Sequence, residues 1–322
     1  MNLTTRIKKS KKMIRLVRPQ ELTTSSLIYP IFIREDGLNF EIPSMEGQNY
    51  LSLENAVKTC ADVLDNNIPA VMIFGVLKKK DVDGSIALGK EAFHAKIFKR
   101  LKKEFGDDLV LISNICLCDY TEDEYCVYIE DGKVLNQKTA KMLGKIGLAH
   151  AEAGADVVAP SAMCDGQVKA IREELDANGF EDVPVMSYIK TDTVMFQPYF
   201  EAVTLSNSPV RKADPSKFRT DIINDKMFMQ KVKLDIDEGA DFLIVKPALT
   251  NLDLILRVKQ AYPALPLAAF QVSGEYQLIK LLSKYGHINE KGLLMETLNS
   301  IKRAGADIIL TYYGLEAAKI LK

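Results

Sequence analysis

Eight short apolar segments recur along the chain and constrain its fold more than any other feature. Segments with helical periodicity separate most of them, which is the pattern of strands that alternate with helices. Each apolar segment is rich in Val, Ile and Leu, as expected of strands that are buried on both faces. The eight predicted strands are 27–33, 70–76, 109–115, 155–160, 183–188, 242–247, 265–271 and 307–313.

A four-residue connection from helix to strand, called the joint below, occurs three times and indicates a fold built from repeated strand–helix units. Ala-Gly-Ala-Asp or Glu-Gly-Ala-Asp stands at 153–156, 238–241 and 304–307, where a glycine ends a helix just before a strand. Eight such strand–helix units predict an α/β fold, a closed (β/α)8 TIM barrel over 26–322, with an N-terminal extension arm at 1–25. A doubly wound open sheet is the alternative, but no Gly-x-Gly-x-x-Gly follows the first strand.

Composition excludes several classes of function. The chain has 42 Lys and Arg against 43 Asp and Glu, a net charge of −1, which argues against nucleic-acid binding. No apolar run is long enough to predict a membrane span. The basic start of the chain lacks the apolar core of a secretory signal. We therefore expect an arm that docks on another copy of the chain, with a solvated tail as the alternative.

Three of the five cysteines fall close together, at Cys116, Cys118 and Cys126. This spacing does not suit a disulfide framework and indicates a reduced, cytoplasmic protein. Three soft thiolates can hold Zn²⁺ and leave a fourth position open, as in catalytic zinc sites. Three cysteines without a metal are the alternative.

The ends of the predicted strands carry the other candidate groups. Lys246 ends an apolar strand, where loss of solvation would lower its pKa and free the amine to attack a carbonyl. The alternative is a structural lysine that reaches solvent. Ser273 and Tyr312 offer two hydroxyl groups that can hold a carboxylate, or that simply cap strand ends.

Long motifs carry a family resemblance. VAPSAMCDGQVKAIREELDANGF, MSY, VKPAL, FQVSGEYQLIK and SIKRAGADIILTYY follow one another in order, after RLVRPQEL, LIYPIFI and PSMEG near the start. Together they resemble the porphobilinogen synthase family, also called 5-aminolaevulinate dehydratase. The resemblance implies a (β/α)8 barrel with an arm and a homo-oligomer, from a dimer to an octamer. It also implies two Schiff-base lysines that condense two molecules of 5-aminolaevulinate, an amino-ketone acid.

The resemblance also assigns roles. Lys246 corresponds to the lysine of the first-bound substrate, and Ser273 and Tyr312 to the pair that holds its carboxylate. Tyr188, in the Met-Ser-Tyr motif, is placed in the substrate pocket. The zinc ligands of the family correspond to Cys116, Cys118 and Cys126.

Several positions depart from the family pattern. The family has its second lysine three residues after the Tyr of Met-Ser-Tyr, where an ungapped count gives Thr191. Lys190 comes one residue early and would face the other side of the strand unless a bulge turned it. The same count puts Glu201 in place of an arginine that holds the second carboxylate. The second arginine of the lid is either Arg211 or missing.

Other departures concern the metal sites. Asn114 replaces an aspartate before the first cysteine, and Lys231 replaces the glutamate that many members use for an allosteric Mg²⁺. The preferred hypothesis is therefore a zinc enzyme that binds 5-aminolaevulinate at Lys246 and condenses it with a different second substrate. Glu201 and Asp192 would favour a neutral or cationic one. The alternatives are a genuine porphobilinogen synthase and a non-catalytic regulatory paralogue.

Overall fold

The computed structural model describes residues 6, 8–19, 21–203 and 218–322. Its strands are β1 (Leu27–Arg34), β2 (Phe40–Glu41), β3 (Asn49–Leu51), β4 (Ala70–Val76), β5 (Val110–Ile115), β6 (Ile129–Glu130), β7 (Lys133–Val134), β8 (Val157–Pro160), β9 (Met186–Lys190), β10 (Phe242–Lys246), β11 (Leu267–Gln271) and β12 (Ile308–Thr311).

The helices cover most of the segments between the strands. They are α1 (Lys11–Leu16), α2 (Leu53–Asp65), α3 (Phe93–Phe105), α4 (Asn136–Glu152), α5 (Gln167–Ala177), α6 (Gln197–Val203), α7 (Asp225–Asp237), α8 (Leu252–Ala261), α9 (Ser273–Lys284), α10 (Glu290–Ala304) and α11 (Gly314–Leu321).

Eight parallel strands form the barrel, in the order β8-β5-β4-β1-β12-β11-β10-β9. The two ends of this order meet where Val158 and Val185 form a parallel bridge, so the sheet closes almost completely. All eight predicted strands are present, with ends that shift by up to three residues. The (β/α)8 barrel prediction is confirmed, and the open-sheet alternative is wrong because β8 and β9 lie side by side.

The repeated joint has a defined structure. Its glycines, Gly154, Gly239 and Gly305, all have positive φ (103°, 101° and 115°), which glycine adopts without steric cost. The aspartate that follows each glycine by two residues accepts a hydrogen bond from a backbone N–H of the neighbouring strand region. These bonds are Leu111 N to Asp156, Val185 N to Asp241 and Leu267 N to Asp307, at 2.8–2.9 Å. Each joint thus ends a helix and also secures the adjacent strand.

Helix α1 belongs to the predicted arm, and none of its residues is buried. Ser10 caps it by accepting a hydrogen bond from Met13 N at 3.1 Å. Leu16 is 77% exposed, and Met13 and Ile14 are exposed as well. Docking of the arm on another copy stays a prediction, as does the boundary between arm and barrel.

None of the described helices has the length and apolarity that a membrane span requires.

A buried ion pair within α7 is hydrogen-bonded to strand β9. Lys231 Nζ lies 2.7 Å from Asp235 Oδ1 and donates to the carbonyl of Cys164 at 3.1 Å. The other Asp235 oxygen accepts a hydrogen bond from Ser187 Oγ at 2.7 Å, and the aspartate is fully buried. Lys231, the residue that replaces a Mg²⁺ ligand in the resemblance, therefore puts its charge into this network.

We predict that Asp235→Ala destabilises the fold by about 3–5 kcal/mol, because it removes the buried carboxylate beside Lys231 and leaves only the exposed Asp165, at 3.7 Å. Lys233 and Asp237 provide a matched control on the same helix. They have the same spacing and a 2.6 Å separation, but their side chains are 65% and 57% exposed. Asp237→Ala should change stability little, since exposed pairs contribute little. Urea unfolding midpoints that fall equally in both variants would contradict this account.

Candidate active site

A cavity lies at the carboxyl ends of the barrel strands, which is where barrel enzymes place their active sites. It brings together side chains that are far apart in the sequence, among them two lysines and three cysteines. Its walls are formed by Cys116, Cys118, Cys126, Ser161, Lys190, Phe196, Tyr199, Lys246, Phe270, Val272, Ser273 and Tyr312.

The two lysines are direct partners in the sheet. Strands β9 and β10 pair in parallel with Lys190 opposite Lys246, and both side chains line the cavity. Side chains alternate between the two faces of a strand, so Lys190 shares its face with Tyr188, two residues earlier. Lys190 therefore reaches the cavity from a regular strand. The expectation that it needs a bulge to do so is wrong.

Thr191 lies beyond the end of β9 and is not one of the cavity-lining residues. Its backbone N–H donates to the carbonyl of Lys246 at 3.2 Å, and its hydroxyl accepts from Asn251 Nδ2 at 3.0 Å. Thr191, which an ungapped count makes the position of the second lysine, is therefore not on the cavity wall, whereas Lys190 is. The alternation of side chains along the strand accounts for this difference.

Aromatic rings surround the amine of Lys246. Its Nζ lies 4.2 Å from the ring centre of Tyr188 and 5.2–5.9 Å from those of Phe196, Tyr199 and Phe270. Burial, helped by the charge of Lys190, lowers the pKa of Lys246 to about 7. A large share of these amines is therefore neutral near pH 7, which a nucleophilic lysine requires. Tyr188 packs against Lys246 and is not among the residues of the cavity wall.

The three cysteines form a compact, buried donor set. Their Sγ atoms all lie within 4.8 Å of one another, and a tetrahedral site with Zn–S bonds of about 2.3 Å needs sulfurs of similar closeness. Hydrogen bonds from Cys116 and Cys118 hold the pKa of Cys126 well below its ordinary value. Lys190 Nζ lies 4.0 Å from Cys126 Sγ. The cluster can therefore hold a metal ion beside one of the two amines.

The loop that carries the cysteines contains a carboxylate that sequence reasoning missed. Asp119 is buried, accepts a hydrogen bond from Asn114 Nδ2 at 3.0 Å, and has its pKa raised by burial to about 7. The aspartate expected at 114 is thus absent, but a carboxyl group lies next to it. Lys80 fixes the loop by donating to the carbonyl of Cys118 and to Glu124, both at 2.9 Å.

Ser273 and Tyr312 both lie on the cavity wall, as predicted from the strand ends. The Tyr312 hydroxyl is buried and has no hydrogen-bond partner among the described residues. Ser273 Oγ accepts from the backbone of Tyr199 at 3.0 Å and donates to the carbonyl of Met195 at 3.2 Å. A buried hydroxyl without a partner is costly, so Tyr312 is suited to bind a polar ligand group.

Glu201 is not part of the cavity. It is exposed on α6, and it accepts a hydrogen bond from Gln197 one helical turn earlier, at 3.1 Å. The expectation that its charge faces a substrate is therefore wrong, because that helix turns it to solvent. If the count starts at Lys190, Phe200 takes the position of the family arginine. Arg211 lies outside the described residues.

Comparison with known proteins identifies the family. A family model, "Delta-aminolevulinic acid dehydratase", matches residues 2–320. Curated relatives with that name include one from Methanothermus sociabilis, 44% identical over 97% of this chain and 96% of its own. Another, from Halalkalibacterium halodurans, is 41% identical over 98% of this chain and 95% of its own.

A solved structure supports the same family assignment. It is that of delta-aminolevulinic acid dehydratase (porphobilinogen synthase) from Toxoplasma gondii, in complex with the reaction product porphobilinogen. It superposes with a TM-score of 0.94 at 33% identity, over 99% of this chain and 91% of the other. This chain therefore belongs to the delta-aminolevulinic acid dehydratase family of Schiff-base dehydratases.

Proposed function

We propose that this protein is a porphobilinogen synthase, which condenses two molecules of 5-aminolaevulinate into porphobilinogen with loss of two water molecules. One observation carries the proposal: two buried lysines on paired strands, Lys190 and Lys246, line a single cavity. A reaction that joins two amino ketones through two imines needs this arrangement, because both substrates must be held side by side.

In this proposal each lysine binds one substrate. The neutral amine of Lys246 attacks the ketone carbon, a C=N bond forms, and the ketone oxygen leaves as water. The resulting imine makes the adjacent carbon more acidic and so prepares it for bond formation. Lys190 binds the second molecule in the same way. Ser273 and Tyr312 bind the carboxylate of the molecule on Lys246, since both lie on the wall on the β11–β12 side of that lysine.

Zinc is the metal that the three cysteines fit best, because thiolate ligands favour it over magnesium or calcium. Bound to Cys116, Cys118 and Cys126, zinc would polarise a substrate oxygen or nitrogen next to Lys190. The chain's own part is to hold three sulfurs together at the cavity wall, with Lys80 keeping their loop in place.

The preferred hypothesis from the sequence, an altered second substrate, loses its two main supports. Lys190 fills the place of the supposedly missing lysine, and Glu201 points to solvent. The curated relatives favour the genuine synthase. Two observations argue against the third hypothesis, a non-catalytic paralogue. The chain belongs to a family of enzymes, and two lysines line one cavity.

The direct test is porphobilinogen formation from 5-aminolaevulinate alone, in zinc-containing buffer, measured by mass spectrometry. We predict product with the unaltered protein and with Thr191→Ala, and none above background with Lys190→Ala or Lys246→Ala. Thr191→Ala is the matched control, because it changes the next residue without removing an amine. Full activity of Lys190→Ala would refute the two-lysine proposal.

The reactivity of Lys246 should depend on pH. Only the neutral amine forms an imine, so borohydride trapping of 5-aminolaevulinate at Lys246 should rise with pH, with a midpoint near its pKa of about 7. Lys190→Met removes a neighbouring positive charge and should move this midpoint to higher pH. A midpoint near the ordinary lysine pKa of 10.5 in the unaltered protein would contradict the assigned environment.

Metal content tests the cysteine cluster. We predict that Cys126→Ser lowers the zinc retained per chain after dialysis, because only two thiolates remain. Cys60→Ala is the control, since Cys60 is buried in α2 away from the cluster and should not affect zinc. Elemental analysis that finds equal zinc in Cys126→Ser and the unaltered protein would rule out this cluster as the site.

A further inference from the structure

A buried carboxylate on α9 lies behind the two groups that are proposed to hold the first substrate. Glu275 is 1% exposed and stands in the first turn of α9, two residues after Ser273. It is not one of the residues of the cavity wall, and the proposed reaction gives it no part. Burial of a carboxylate is costly, so its contacts need an explanation.

One oxygen of Glu275 connects two strand ends. Its Oε2 accepts a hydrogen bond from the backbone N–H of Val272 at 2.7 Å and another from that of Ala248 at 3.2 Å. Val272 directly precedes Ser273, and Ala248 comes two residues after Lys246. A single atom therefore links the start of α9 to the chain that follows β10.

The other oxygen of this carboxylate holds the same loop. It accepts a hydrogen bond from the backbone N–H of Leu249, and the N–H of Thr250 also donates to the carboxylate. Between Lys246 and Ala248 stands Pro247, which has no N–H to donate. The three backbone N–H groups that follow this proline thus all end on one side chain.

Capping of α9 accounts for only part of this arrangement. A glutamate at the third helical position often accepts from the N-cap N–H, and the bond from Val272 is of this kind. Such a cap needs one N–H, whereas Glu275 takes the others from the loop after β10. Burial raises the pKa of Glu275 to about 7, so its charge is kept there at a cost in free energy. The connection between the two loops is what this cost maintains.

The sheet alone does not fix the distance between the two substrate-binding groups. The described pairs of β10 with β11 end with Val245 opposite Ala269, before Lys246 and Ser273 are reached. In the proposed function these two residues bind the ketone carbon and the carboxylate of one molecule. Two methylene groups separate those carbons in 5-aminolaevulinate. The separation of Lys246 and Ser273 must therefore match a chain of that length.

We propose that Glu275 is a positioning residue, which fixes the separation of Lys246 and Ser273 and thereby selects a 4-oxo acid as the first substrate. This assignment rests on the proposed function and adds the residue that sets the length of the molecule accepted at Lys246. Because Glu275 is not on the cavity wall, it acts only through these two residues. An acid with one more carbon between ketone and carboxylate would have to bend or displace Ser273.

The test measures imine trapping of two keto acids that differ by one methylene. Laevulinate is 5-aminolaevulinate without its amino group, and 5-oxohexanoate has one more carbon between ketone and carboxylate. Both are reduced with borohydride onto Lys190→Met protein, in which Lys246 is the remaining lysine of the described cavity wall. The preference for laevulinate is the ratio of the concentrations that give half-maximal trapping, measured by mass spectrometry.

Glu275→Gln should lower this preference by roughly 10-fold, because one methylene that fits or misfits a pocket changes selectivity by about 10- to 200-fold. The amide has one oxygen, and in either orientation its NH₂ group would face a backbone N–H that Glu275 now accepts. Glu275→Asp keeps both oxygens on a shorter side chain and should lose part of the preference. It carries the test if the amide variant does not fold.

Asp235→Asn is the matched control for a purely structural effect. Asp235 is also a buried carboxylate, but its described contacts are with Ser187 on β9 and with Lys231 on its own helix. Its substitution should lower the urea unfolding midpoint and leave the preference unchanged. If Glu275→Gln and Glu275→Asp lower the midpoint but keep the full preference, Glu275 only supports the fold and the assignment is overturned.

A double variant tests whether Glu275 acts through Ser273. Ser273→Ala removes one of the two groups whose separation matters, so Glu275→Gln should have little further effect on the preference in that background. An effect of Glu275→Gln that is equally large with and without Ser273 would contradict the proposed route.

Porphobilinogen formation by the unaltered protein is measured in parallel. If product forms but both Glu275 variants keep the full preference, the role of Glu275 is wrong and the proposed function stands. If the unaltered protein forms neither product nor imine, the proposed function itself fails.

Discussion

The pairing of β9 with β10 is the constraint on which the rest of the site depends. It places the last residues of the two strands, Lys190 and Lys246, opposite each other on the inner face of the barrel. Parallel strands that pair in register bring neighbouring side chains to a fixed separation. Two amines on flexible side chains are thereby held at one wall, with the cysteine cluster beside the first and aromatic rings around the second.

The proximity of two potential cations has an electrostatic consequence. Burial makes protonation of Lys246 less favourable, and the charge of Lys190 adds to the effect. Keeping a reactive, neutral amine in this position therefore lowers the stability of the fold, as is common at functional sites. The surrounding rings limit this cost, because aromatic faces attract an ammonium group when it does form.

Much of this was predictable from sequence. The eight strands, the glycine–aspartate joints and the cysteine spacing follow from local patterns, and Lys246, Ser273 and Tyr312 lie where the strand ends place them. Lys190 was expected on the wrong face of its strand because the motif comparison counted residues without a gap. The two-residue alternation from Tyr188 to Lys190 was present in the sequence and gives the correct side.

Other features depend on tertiary structure and have no local signal. The carboxylate of Glu201 is a group that could bind a ligand. Only the orientation of α6 in the folded structure shows that it faces solvent. Arg219 contacts Asp192 and Phe196, from segments that meet only in the folded barrel, and the contact of Asp119 with Asn114 depends on how the chain turns after β5. Sequence spacing cannot show such contacts, because the loops after different strands are free to approach in several ways.

The central claim is that both lysines carry substrate in the same cavity. Its most direct measurement is peptide mapping by mass spectrometry after the protein has been reduced with borohydride in the presence of 5-aminolaevulinate. The account predicts substrate mass on two peptides, one containing Lys190 and one containing Lys246. Modification of Lys246 alone, at saturating substrate and with zinc present, would contradict it.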